Sequence, residues 1–154
     1  MSRVQLALNV TDIDAAVEFY SRLFGTGPAK RRPGYANFAI AEPPLKLVLI
    51  ENSDAPGTLN HLGIEVGDPA EVRAAIDTFS AHALPADVEE GVTCCYAVQD
   101  KVWVSDPDGA RWEVYTVLGD ADSMAPLDAA GSAAECACAV PAPSADGAPT
   151  AACC

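Results

Sequence analysis

Five side chains in this sequence combine useful chemistry with suggestive spacing: Gln5, His61, Glu113 and the adjacent pair Cys94-Cys95. An amide oxygen, an imidazole and a carboxylate form an N/O donor set that suits three facial positions on a divalent metal and leaves the others open. With an amide replacing a second imidazole, iron, manganese, nickel and zinc all fit the set. Vicinal thiols suit a soft cation or a trivalent metalloid, because one centre closes a ring with both sulfurs. Neighbours on a regular strand point to opposite faces, so chelation by Cys94 and Cys95 requires a bend or loop. Gly91 before the pair and Gln99-Asp100-Lys101 after it favour a mobile loop there.

The elements that must position these residues show an internal repeat. Gln5-Leu6-Ala7-Leu8-Asn9-Val10-Thr11-Asp12 aligns with His61-Leu62-Gly63-Ile64-Glu65-Val66-Gly67-Asp68 at a constant offset of 56, and both alternate as half-buried strands do. A helix is predicted after each. The first runs from about Asp12 to Phe24, with Ile13, Val17, Tyr20 and Phe24 on one face, Thr11 or Asp12 as cap and Gly25 as stop. The second starts at Asp68-Pro69 and carries Val72, Ile76 and Phe79, with His82 near its C-terminal dipole.

Strands are predicted over 35–40 and 45–50 in the first half, around the Glu42-Pro43-Pro44 turn, and over 92–98, 102–105 and 112–118 in the second. Two βαβββ modules summarise the pattern, over about 1–55 and 58–118, giving an α+β fold in which the paired sheets form a half-open barrel around a shared cavity. Gln5 and His61 then occupy equivalent places and can converge across a pseudo-twofold axis. On the last strand, Glu113, Tyr115 and Val117 share a face, and the first half sets Leu47 opposite Glu113, so it supplies no second acid. Taken singly, each donor has an ordinary structural explanation; the symmetric placement of Gln5 and His61 is what makes a set of them.

Composition bounds the rest. The 154 residues carry 22 acids and 9 bases, a net charge of -13, which argues against a nucleic-acid partner needing a basic face. No run reaches the roughly 18–20 apolar residues of a membrane span, and the N-terminal residues lack a secretory pattern, so a cytoplasmic protein is expected. From Gly119 to Cys154 the sequence has no Lys, Arg or aromatic residue but 13 alanines and four prolines, so a flexible tail is expected over 119–154. It holds Cys136, Cys138, Cys153 and Cys154, which admit two readings: a scavenger that captures substrate or product, favoured because no core there needs filling, or incidental cysteines on a disordered end.

These residues resemble a known family. The stretches Val4–Val10, Arg32–Ala39, Pro44–Leu49, Leu59–Gly63, Thr93–Tyr96, Gln99–Val104 and Arg111–Val117 follow, in order, those of the vicinal oxygen chelate superfamily of glyoxalases, bleomycin-resistance proteins and extradiol dioxygenases. Within it the chain is most similar to the organoarsenical carbon-arsenic lyases, with cadmium-inducible proteins as near relatives. The resemblance implies Fe(II) held by Gln5, His61 and Glu113, and a trivalent organoarsenical such as methylarsenite or a reduced aromatic arsenical bound by Cys94 and Cys95, the pair assigned to catalysis. The implied activity is dioxygen-dependent cleavage of the carbon-arsenic bond to arsenite in a monomer or homodimer, the alternative being cadmium or metalloid sequestration without catalysis.

Overall fold

The computed structural model describes residues 2–124. Each module begins with a strand that hands over to a helix through an aspartate. Asp12, in extended backbone, accepts from the amides of Asp14 and Ala15 and starts α1 (Ile13–Phe24), which Gly25 ends at φ 65°. Asp68 accepts from Ala70 and Glu71 and starts α2 (Pro69–Ala81), with proline in its first turn and His82 as C-cap. The strands are β1 (Arg3–Val10), β2 (Lys30–Arg32), β3 (Tyr35–Ile40) and β4 (Leu45–Glu51) in the first module, and β5 (Leu59–Glu65), β6 (Asp87–Cys94), β7 (Ala97–Ser105) and β8 (Arg111–Asp120) in the second.

All eight form one sheet in the order β2-β3-β4-β1-β5-β8-β7-β6, curled into the expected α+β half-barrel with two helices. In each module the first strand runs parallel to the last, β1 with β4 and β5 with β8, and the modules join through the antiparallel pair β1–β5. Leu6 pairs with Leu62. Because the repeat offset is also 56, the pseudo-twofold axis passes between those two leucines and relates Gln5 to His61.

The outer face of the first half-sheet buries Phe38, Leu47, Leu49 and Ala36 against Ile13 and Val17, with Tyr20 and Phe24 packed alongside. The inner face carries Ala7, Tyr35 and Val48. Leu47 therefore belongs to the helix-facing core, and the expectation that it stands opposite Glu113 needs correction: Ala7 pairs with Val48 as Gly63 pairs with Glu113. The conclusion survives, since Val48 is no more acidic than Leu47.

Three other boundaries differ from expectation. The first module gains the short strand β2, whose Lys30-Arg31-Arg32 has no apolar alternation to announce it. In the second, Cys94 and Cys95 do not lie within one strand: β6 ends at Cys94, and Cys95-Tyr96 forms a two-residue hairpin turn with φ of 54° and 61°. Such left-handed turns usually advertise themselves with Asn or Gly, and this one has neither. Finally, β8 continues past Leu118 to Asp120, and residues 121–124 fold back on the turn; Cys136, Cys138, Cys153 and Cys154 lie outside the described residues. Among the described residues no helix is long and apolar enough to cross a membrane.

Candidate functional site

Gln5, His61 and Glu113 come together on the inner face of three adjacent strands. Gln5 on β1 and Glu113 on β8 both register with Gly63 on the intervening β5, and His61 projects from β5 two residues away on the same face. A Cβ at Gly63 would stand 3.0 Å from Glu113 Cγ and 3.4 Å from Gln5 Cβ. The missing side chain is what lets the two flanking chains lean over β5 and meet.

All three are buried. Gln5 Nε2 lies 2.9 Å from His61 Nε2 and 2.6 Å from Glu113 Oε1, and His61 Nε2 lies 3.3 Å from Glu113 Oε1. Ligand atoms about 2.1 Å from one ion, at right angles, stand about 3.0 Å apart, so the triangle has the size of one face of a metal's coordination shell. The imidazole is oriented for this role. Its Nδ1 faces Asn60 Oδ1 at 2.8 Å, while the Asn60 amide donates to Asn9 and Asn9 to Thr58. Asn60 Oδ1 is thus an acceptor, the proton sits on Nδ1, and the Nε2 lone pair points inward. Behind the ring, Trp103 packs edge-on at 5.4 Å.

Glu113 is the sharpest electrostatic feature. Burial alone would raise its carboxyl, but the Lys101 ammonium, 3.3 Å from Oε2, pulls it down to about 2. Oε2 is buried, and beyond its ion pair with Lys101 it meets no hydrogen bond of good geometry among the described residues. A donor set that is anionic, shaped and underbonded fits a divalent cation. Gln5 is bridged outward as well: Tyr115 Oη contacts its Oε1 and also lies 2.9 Å from Glu65 Oε2. Burial raises the Tyr115 hydroxyl well above its ordinary value. Burial would also raise Glu65, but Lys46 at 2.8 Å overrides this and holds it below the usual range.

One thiol of the pair, Cys95, borders the same space, and Cys94 is buried beside it. A cavity of about 50 Å³ is lined by Gln5, His61 and Glu113 on its floor and by Cys95, Tyr35, Asn37, Gln99 and Lys101 around it, several times the volume that one water needs. Within the hairpin the sulfurs of Cys94 and Cys95 lie 3.3 Å apart. Thiolates about 2.3 Å from one soft centre at right angles have nearly that spacing, so the tight turn supplies the bend that chelation demands. The turn is tethered on several sides. Cys95 N–H donates to Met124 O, Ala121 N–H to Tyr96 O, and Lys30 Nζ to Tyr96 O; the Tyr96 ring packs on Tyr35 at 5.6 Å and under Arg32. The expected mobile loop is instead a braced hairpin, and Gln99 and Lys101 are buried on β7. Their polarity marks the cavity wall.

Several residues of this site escape notice in the sequence. Asn60 and Tyr115 carried the only signals, one adjoining His61 and the other sharing the face of Glu113. Lys101, Lys46 and Glu65 look like ordinary surface charges until the fold turns them inward.

The half-barrel and its polar floor define a class. Residues 3–114 match the family model described as the Glyoxalase/Bleomycin resistance protein/Dioxygenase superfamily, and the chain belongs to that family. It is 63% identical over 124 residues to the cadmium-induced protein CadI of Mycobacterium tuberculosis, a match covering 80% of this chain and 82% of that one. It is 61% identical over 129 residues to a protein of Thermomonospora curvata named trivalent organoarsenical cleaving enzyme, covering 83% and 85%. Among solved structures, homoprotocatechuate 2,3-dioxygenase from Arthrobacter globiformis superposes with a TM-score of 0.55 at 20% identity, covering 78% of this chain and 37% of that one. That last likeness is one of fold.

Proposed function

We propose that this protein is a carbon-arsenic lyase that uses Fe(II) and dioxygen to release arsenite from trivalent organoarsenicals such as methylarsenite or reduced aromatic arsenicals. One observation carries the reading: Cys95, whose sulfur lies 3.3 Å from that of Cys94, lines the cavity whose floor is a three-donor N/O set. The 61% identity to a relative named for organoarsenical cleavage supports the same activity.

Gln5, His61 and Glu113 would hold the metal, which when bound supplies dioxygen activation. Cys94 and Cys95, reduced, displace the two oxygen ligands of the arsenical and fix arsenic with its single carbon substituent turned into the cavity. Proton loss from the thiols is coupled to arsenic binding. The braced hairpin holds the arsenical against the metal floor, replacing a diffusive encounter by a positioned one. Lys101 keeps Glu113 ionised, and Asn60 keeps His61 in the ligating tautomer.

Aerobic incubation of the reduced full chain with Fe(II) and methylarsenite, followed by arsenic speciation, tests the reading. Release of arsenite is expected, and its loss in C94S and in C95S with Fe(II) binding retained. Wild-type turnover in both variants removes the thiols from the mechanism. The 63% identity to a cadmium-induced protein favours a second reading, sequestration of cadmium or a metalloid by the same thiols; stoichiometric binding without arsenite release would select it.

A further inference from the structure

Tyr115 presents a problem in hydrogen-bond accounting. Its hydroxyl lies 2.5 Å from Gln5 Oε1 and 2.9 Å from Glu65 Oε2, and it has one proton. Glu65 is an ion-paired carboxylate, with Lys46 Nζ 2.8 Å from Oε2 and Arg3 2.8 Å from Oε1, so it only accepts. An amide oxygen also only accepts. With Gln5 Oε1 turned outward, the hydroxyl satisfies one neighbour and meets the other lone pair to lone pair. The inner end is satisfied, because Nε2 offers one hydrogen each to His61 Nε2 and Glu113 Oε1.

Turning the amide by 180° reverses the account. The two ends of a glutamine amide are nearly isosteric, so every distance is kept. Nε2 then donates to Tyr115 Oη, whose proton goes to Glu65, and the outer chain is complete. The inner end now presents Gln5 Oε1, His61 Nε2 and Glu113 Oε1 with no proton among them, an arrangement that a cation satisfies. The amide thus has two positions: nitrogen inward, which leaves the outer chain one proton short, and oxygen inward, which completes that chain and opens the floor to a cation.

We infer that Tyr115, with its proton committed to Glu65, is a positioning residue that selects the oxygen-inward state of Gln5 and so prepares the site for a divalent metal. This rests on the ligand set proposed above. Glu65 is anchored by Lys46 on β4 and Arg3 on β1, so the first module fixes the orientation of its own ligand through a residue of the last strand.

Anaerobic titration of the full chain with Co(II), read by visible absorption, and with Fe(II) in competition, provides the test. Y115F is expected to weaken Co(II) binding roughly 10- to 100-fold, the usual effect of losing an outer-shell partner. Q5E has oxygens at both ends and needs no selection, so adding Y115F to Q5E should cost no affinity. Equal Co(II) affinity in wild type and Y115F overturns the inference. So does a loss of the same size in the Q5E background, which marks a general structural defect. If H61A and E113A bind Co(II) like wild type, the ligand set itself is wrong, a failure separate from the other two.

Discussion

The two modules share a βαβββ order and an offset of 56, yet they divide the labour. The first carries the large apolar core: Phe38, Leu47 and Leu49 sit under α1, which buries Ile13 and Val17 and packs Tyr20 and Phe24. In α2 only Val72 is buried. The second module supplies His61, Glu113, Lys101 and the cysteine hairpin, where the first supplies Gln5 at the place of His61 and Val48 at the place of Glu113. A duplicated unit can concentrate its polar, underbonded groups in one copy when the other provides the apolar burial that offsets their cost.

The largest expected effect on stability lies in the first copy. Phe38→Ala should cost about 3–5 kcal/mol in denaturant unfolding, whereas Val72→Ala under α2 should cost about 1–2 kcal/mol; equal losses would break the contrast. Next, Glu113→Gln should lower Co(II) affinity by more than the roughly 10–100-fold of an outer-shell loss, while Val48→Ala at the equivalent place leaves the metal bound. Similar affinities in the two variants would deny the second module its special role.

A subtler pair lies beside them on the joining strands. Gly63→Ala brings a Cβ to 3.0 Å from Glu113 Cγ, and should cost about 1–3 kcal/mol and weaken metal binding by spreading the donors. Its counterpart Ala7→Gly should cost only about 0.5–1 kcal/mol, with unchanged metal affinity. The smallest effect concerns acid. Glu65 is held below its ordinary value of 4.5, so its pairing stabilises the fold above that pH and is lost as pH falls through the lower folded value. Wild type should therefore lose stability more steeply than E65Q below about pH 4.5, as chemical denaturation across pH would register; parallel profiles would remove Glu65 from the network.

Much of the frame was legible in the chain. Asp12 and Asp68 announce both helices because capping is local chemistry, and the repeat exposes the pseudo-symmetry because both first strands bury alternate residues. Gln5, His61 and Glu113 could be paired from that symmetry and from one acid on a buried face. The hairpin was hidden because Cys95 and Tyr96 adopt left-handed backbone without the residues that normally signal it. Gln99 and Lys101 resembled loop because a strand lining a polar cavity loses the alternation by which strands are recognised.

The sequence by itself determined the modules, their caps and the residue types able to hold a metal or chelate a soft centre, since these depend on neighbours a few positions apart or on a repeat. Tertiary structure alone decided that Gly63 makes room for the donors to converge, that Lys101 and Glu65 become buried partners, and that the two sulfurs stand 3.3 Å apart. Those outcomes depend on strand register and on how a turn is held, and several rest on contacts between residues some 50 to 110 positions apart, distances over which the pattern of a chain carries no geometric information.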